Sequence, residues 1–144
     1  MLKEYLENNI HFLPNVSDWK QGIRESAQPL LENGTVEPRY VDAMIQNVID
    51  NGNYIIIIPE VAIPHARHEY GAMKTGISFL KLEEPVQFPE ESPVYLFFAL
   101  ASETSDGHLD ILAELGEVLS DPDKVEELKQ AKTASEVLNI LDAI

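Results

Sequence analysis

Two stretches of this chain, Tyr54–Ile58 and Val94–Ala101, are apolar almost residue after residue, while the segments before and after them repeat their apolar positions every three or four residues. A run without polar alternation suits a strand covered on both faces, and β-branched and aromatic residues fill both runs. The three-and-four spacing belongs to amphipathic helices. Both patterns are satisfied by strands in the middle of a layered domain with helices on either side. The expected fold class is therefore α/β: a single-domain sandwich with a central mixed (parallel/antiparallel) sheet flanked by helices. Its 144 residues fit one such domain over 1–144.

The helical segments carry their own punctuation. Ser17 is the expected cap of a helix whose apolar positions are Trp19, Ile23, Ala27, Leu30 and Leu31, and Pro29 is expected to kink or shorten it. Pro38 suits the first turn of the next helix, with Val41, Met44, Ile45, Val48 and Ile49 at helical spacing until Asn51-Gly52 stops it. Ile10–Leu13 reads as an edge strand and Gly76–Leu82 as a third internal one, with a loop over Glu83–Pro93 that hides a short strand at Val86–Phe88. Gly107–Ser120 shows a stripe of Ile111, Leu112, Leu115, Val118 and Leu119. Asp121-Pro122 opens another helix, and Thr133 with Glu136 matches a capping box before a last helix at Val137–Ile144.

Charge and composition remove several functions. With 10 basic and 25 acidic residues the formal charge is −15, so the surface repels phosphate backbones and anionic membranes, and no nucleic-acid partner is expected. There is no cysteine, hence no disulfide, zinc–thiolate site or thiol nucleophile. The opening MLKEYLENNIHFLP lacks the pattern of a secretory signal, and the longest apolar runs are too short to span a bilayer, so a cytoplasmic protein is expected. No Walker A loop, GxGxxG turn or GxSxG elbow occurs.

A reactive site must then be built on histidine, hydroxyls, carboxylates or backbone amides. His65 stands in Val61-Ala62-Ile63-Pro64-His65-Ala66-Arg67, just after the first apolar run, where α/β proteins place function on loops above a rigid sheet. Small neighbours leave room for a partner, and Arg67 offers a planar cation to an anion on the ring. The plainer reading, a histidine that happens to fall in a loop, stays equally open. At about 100° per residue, His108 shares a face with Leu112, Leu115 and Leu119, in the first turn of its helix, where free amides favour anions. A core histidine bonded to a carbonyl is the plainer reading there. His68, three residues from His65, raises zinc, with Glu69 or His108 as a third ligand, but no His-Glu-x-x-His pattern supports it. His11 is expected to be structural. Between Glu103 and Leu128 nine acids face Lys124 alone, a local charge of −8 that is either a solvated face or a field steering a basic partner.

These residues resemble a known family. Val61-Ala62-Ile63-Pro64-His65-Ala66-Arg67 is similar to the phosphorylation motif of the fructose/mannitol-type IIA domains of the bacterial sugar phosphotransferase system (PTS). His108-Leu109-Asp110-Ile111-Leu112 through Leu119-Ser120-Asp121 resembles that family's second signature. Pro29-Leu30-Leu31, Pro38-Arg39-Tyr40-Val41, Asn51-Gly52-Asn53-Tyr54 and Lys74-Thr75-Gly76-Ile77-Ser78 bring it nearest the ascorbate/pentitol branch. Two positions depart from the pattern. Glu60 stands where a glycine is usual, and the arginine of mannitol-type members is matched by Ile49 or its neighbours.

The resemblance implies a phosphotransferase with a phosphohistidine intermediate. His65 would accept a phosphoryl group on Nε2 from the histidine-containing phosphocarrier protein and pass it to a cysteine of the IIB component, which serves the IIC membrane permease. The solute would be ascorbate or a pentitol. His108 would stabilise the phosphoryl oxygens, with Arg67 a further candidate, and no cofactor, metal or nucleotide is required. A regulatory IIA-like protein sensed through its phosphorylation state, and a metal-dependent hydrolase using His65, His68 and His108, are the competing expectations.

Overall fold

A computed structural model describes residues 2–142, so Ala143 and Ile144 of the expected last helix lie outside the described residues. The helices are α1 (Leu2–Leu6), α2 (Trp19–Glu32), α3 (Pro38–Asn51), α4 (Leu109–Leu119), α5 (Pro122–Gln130) and α6 (Ala134–Asp142). The strands are β1 (Ile10–Leu13), β2 (Ile56–Ile58), β3 (Glu60–Ala62), β4 (Gly76–Phe88) and β5 (Ser92–Ala101), ordered β1-β4-β5-β3-β2 in one sheet. β1 runs parallel to β4 and β3 parallel to β5, while β4–β5 and β2–β3 are antiparallel, so the sheet is mixed as expected.

The doubly covered strands are β4 and β5. Along β5, Phe97, Ala99 and Ala101 join the core beneath α2 and α3, and the alternate Leu96, Phe98 and Leu100 join the core under α1, α4, α5 and α6. Both faces are dry, which explains the unbroken apolar run. Truncating Phe97 or Phe98 to Ala would cost about 3–5 kcal/mol.

The other apolar run is a correction. Tyr54–Ile58 is not a buried central strand: only Ile56–Ile58 is extended, at the outer edge of the sheet, with Tyr54 45% and Ile57 51% exposed. The strand beside β5 is instead β3, whose three residues Glu-Val-Ala carry too little apolar sequence to be read as a strand. The expected loop at Glu83–Pro93 is also corrected. β4 continues through it to Phe88 with a register shift between Lys81 and Val86, and Pro85 is tolerated at that irregularity.

Helix ends show how local chemistry sets boundaries. Asp18, not Ser17, caps α2, its carboxylate accepting from the Gln21 amide at 2.8 Å. Pro29 neither ends nor shortens α2. Its missing N–H frees the Glu25 carbonyl, and His11 Nε2–H donates to that oxygen at 2.7 Å, so His11 replaces a helical bond. Asp121 caps α5 ahead of Pro122, and the Glu136 amide donates to Thr133 Oγ1 at 3.1 Å at the start of α6. That last helix begins at Ala134, three residues earlier than its apolar pattern implies.

Candidate functional site

His65 is held by the backbone around it more than by its side-chain neighbours. After β3 the chain keeps contact with β5, the Leu100 amide donating to the Pro64 carbonyl at 2.9 Å. The next clamp is Tyr40 of α3, 1% exposed. Its hydroxyl accepts from the Ala66 amide at 3.1 Å and donates to the Leu100 carbonyl at 2.8 Å, tying the residue after His65 to the central strand. Burial pushes this hydroxyl up to about 12, against a smaller opposing effect of its Ala66 backbone bond, so it stays protonated across the physiological range. Asn47 adds a third tie, donating to the His65 carbonyl at 3.3 Å.

The imidazole has a defined polarity. Its Nδ1 lies 2.7 Å from the Ile63 carbonyl. A carbonyl only accepts, so Nδ1 carries the proton and the neutral ring leaves a lone pair on Nε2. Tyr54 packs against the ring at 86°, centroids 5.5 Å apart.

A cavity of about 560 Å³ opens beside His65, with His108 in its lining. Sequence spacing puts His108 in the first turn of α4, but it is the residue that caps the helix, with φ −98° and ψ −1° and no side-chain capping bond. Its backbone is nonetheless right-handed helical, its carbonyl accepts from the Leu112 amide at 2.9 Å, and both side chains line the cavity, so the face it shares with Leu112 holds. It reaches the cavity because the loop from β5 turns tightly first. Ser102 Oγ donates to the Thr104 carbonyl at 2.6 Å, and Thr104 Oγ1 donates to Asp106 at 3.3 Å. Gly107 closes this turn, since a Cβ there would lie 2.7 Å from Thr104 Oγ1 and 2.8 Å from Ser102 Oγ. The Nδ1 of His108 is buried without a hydrogen-bond partner, so the plainer reading of a core histidine bonded to a carbonyl does not describe this nitrogen.

Arg67 and His68 also line the cavity. The Arg67 guanidinium is forked onto Glu69, at 2.9 and 3.2 Å, and lies on the exposed side of the loop. His68 begins a short 3₁₀ turn, His68–Tyr70, with Nδ1 3.7 Å from the same carboxylate. Among the described residues, no three His, Asp or Glu side chains gather as a metal would need. The acid-rich window is largely solvated, although Glu114 accepts from the Leu2 amide at 2.6 Å. Glu60 sits at φ 74°, the left-handed region glycine adopts freely, at a register shift in β3. Lys129 anchors its carboxylate at 2.8 Å.

Sequence reasoning did not assign Tyr40, Asn47, Tyr54, Ser102, Thr104 or Ser105 to the site, and all six line the cavity. Tyr40 carried a signal, since a tyrosine beside the apolar stripe of a helix must find a partner for its hydroxyl once buried. The hydroxyl loop carried none, because polar residues between a strand and a helix read as an ordinary connection.

A family model described as the phosphoenolpyruvate-dependent sugar phosphotransferase system, EIIA 2, matches residues 5–144. The mannitol-specific cryptic phosphotransferase enzyme IIA component of Escherichia coli is 34% identical over 142 residues, covering 97% of each chain. The solution structure of the protein of that name superposes with a TM-score of 0.89 at 32% identity, covering 97% of each chain. The ascorbate-specific PTS system EIIA component of Salmonella typhimurium is 30% identical, covering 94% of this chain and 90% of its own. A complex of enzyme IIA(Mtl) with phosphorylated enzyme IIB(Mtl) from E. coli matches at TM-score 0.80 and 28% identity, covering 94% of this chain and 95% of the other. Relatives of both names, mannitol and ascorbate, thus stand beside the ascorbate/pentitol resemblance read from the sequence.

Proposed function

The chain belongs to the EIIA type-2 family of the sugar phosphotransferase system, and from that premise we propose that it is a cytoplasmic phosphocarrier IIA component, working as one domain with His65 as its phosphoryl acceptor. The observation that carries this reading is the 2.7 Å approach of His65 Nδ1 to the Ile63 carbonyl, which leaves Nε2 as the nucleophilic nitrogen beside an open cavity.

The step is a balanced displacement. The Nε2 lone pair bonds to phosphorus as the P–N bond to the phosphohistidine of the carrier protein breaks, and the carrier's ring keeps the electron pair. The phosphoryl group then passes to a cysteine thiolate of the IIB component by the same in-line route. IIB in turn serves the IIC permease during uptake of ascorbate or a pentitol. No bond to a metal or nucleotide is involved, so rate depends on alignment and on stabilising charge spread over the equatorial oxygens. His108 is the donor nearest in character to an oxyanion hole, because it lines the cavity beside His65 and its buried Nδ1 has no hydrogen-bond partner in the chain. Arg67 contributes only when it lets go of Glu69. The local charge of −8 between Glu103 and Leu128 draws in a basic carrier surface.

The test is intact mass after incubation with phosphoenolpyruvate, the first enzyme of the system and the carrier protein. We expect one acid-labile phosphate on the wild type, absent from His65→Ala and discharged by IIB. Retained labelling in His65→Ala would overturn the assignment, and labelling that IIB never discharges would favour a regulatory role.

A further inference from the structure

Tyr54 is the side chain in the cavity with a direct ring contact to His65, yet nothing in the phosphoryl-transfer scheme uses it. It stands on the turn that leads into edge strand β2, 45% exposed, with its ring perpendicular to the imidazole at 5.5 Å. The Asn47 side chain, which lines the cavity beside Tyr54, donates to the His65 carbonyl at 3.3 Å and so holds the acceptor's backbone from α3. Among the described residues the imidazole itself has one hydrogen bond, Nδ1–H to the Ile63 carbonyl. A single bond of that kind leaves the ring free to tilt about its own axis, and tilting moves Nε2 off the line of attack. A perpendicular aromatic neighbour removes that freedom.

We propose that Tyr54 is a positioning residue for phosphoryl transfer: with Asn47 it holds the His65 ring so that the Nδ1–H bond persists and Nε2 alone faces the cavity. This rests on His65 being the acceptor. The ring and not the hydroxyl does the positioning, because the contact to His65 is ring to ring. Nothing chemical passes through Tyr54. Its effect falls on how much of the time the acceptor nitrogen is aligned, and so on transfer rate and on which imidazole nitrogen is protonated.

Two readouts separate this from a structural role. ¹⁵N NMR of the unphosphorylated protein reports the His65 tautomer, and single-turnover transfer from phosphorylated carrier protein reports the rate. In the wild type we expect one tautomer, protonated at Nδ1. Tyr54→Ala should mix the tautomers and slow transfer by about three- to tenfold, with a cooperative melt retained. Tyr54→Phe, which keeps the ring, should restore both the single tautomer and a rate within about twofold of wild type. An unchanged rate and tautomer in Tyr54→Ala would overturn the proposal, and so would a Tyr54→Phe defect equal to that of Tyr54→Ala. A wild-type chain that accepts no phosphate would instead overturn the acceptor assignment, leaving the tautomer measurement to decide the ring contact by itself.

Discussion

The two walls of the cavity are built by opposite strategies. The wall carrying His65 is fixed at long range: Pro64 pairs with Leu100 of β5, and Tyr40, 26 positions from Ala66, clamps the next residue to the same strand. The wall carrying His108 is fixed locally, by hydroxyl bonds two residues apart around Gly107. In the proposed function His65 meets two partners in turn, and such a nucleophile benefits from a frame that neither can move. The proposed donor, which would follow the phosphoryl oxygens from one partner to the next, benefits from a loop held mostly by its own turn, with one longer tie from the Glu103 amide to Thr75 Oγ1 at 3.5 Å. In that proposal the difference separates the group that reacts from the group that adapts.

Removing the adaptive group should change chemistry without changing the fold. His108→Ala is expected to slow phosphoryl acceptance on the order of a hundredfold while melting as the wild type does. Stopped-flow labelling beside a thermal melt checks it, and a wild-type rate would return His108 to a packing role. Removing the clamp on the other wall should do the reverse. Tyr40→Phe leaves the Ala66 amide and the Leu100 carbonyl without their partner and should cost about 1–3 kcal/mol of stability in urea.

The same hydroxyl gives that wall an alkaline signature. Its pKa is about 12 in the folded chain against 10.0 when free, so folding favours the protonated form. The stabilisation is complete below pH 10 and is lost as pH rises toward 12, amounting to roughly 2–3 kcal/mol. Tyr40→Phe should lack that part of the alkaline decline. An identical alkaline profile in the variant would show that the clamp is not buried as described.

Part of the fold and of the site was legible in the sequence, for identifiable reasons. The helices were, because α2, α3 and α4 each present one apolar face at regular spacing and carry proline or glycine at their ends. His65 stood out through its neighbours and its place above a sheet. The strands were less legible. Tyr54–Ile58 has the composition of a buried strand, yet Tyr54 and Ile57 are about half exposed at the sheet edge, one against His65 and the other on the cavity rim. β3, which delivers His65, has three residues and starts on a glutamate. Ser17 and Asp18 are both good caps, and only the geometry of the turn selects Asp18. The long-range bonds of Tyr40 leave no periodic trace.

Glu60 gives the smallest test. Its left-handed backbone strains any residue but glycine, while its carboxylate holds Lys129 and keeps that ammonium above its ordinary range, chiefly through their hydrogen bond. Glu60→Ala loses the pair and keeps the strain, and should cost about 1 kcal/mol. Glu60→Gly relieves the strain as it loses the pair, and should fall within about 1 kcal/mol of wild type. Equal losses in the two variants would mean that the backbone at the start of β3 is relaxed.

The most direct test of the fixed wall is which nitrogen carries phosphate. Phosphorus–nitrogen coupling in the isolated, ¹⁵N-labelled phosphoprotein reads this without any partner bound. We expect a single species, phosphorylated on Nε2 of His65 with Nδ1 still protonated toward Ile63. Phosphate on Nδ1 of His65, or on His68 or His108, would contradict the account.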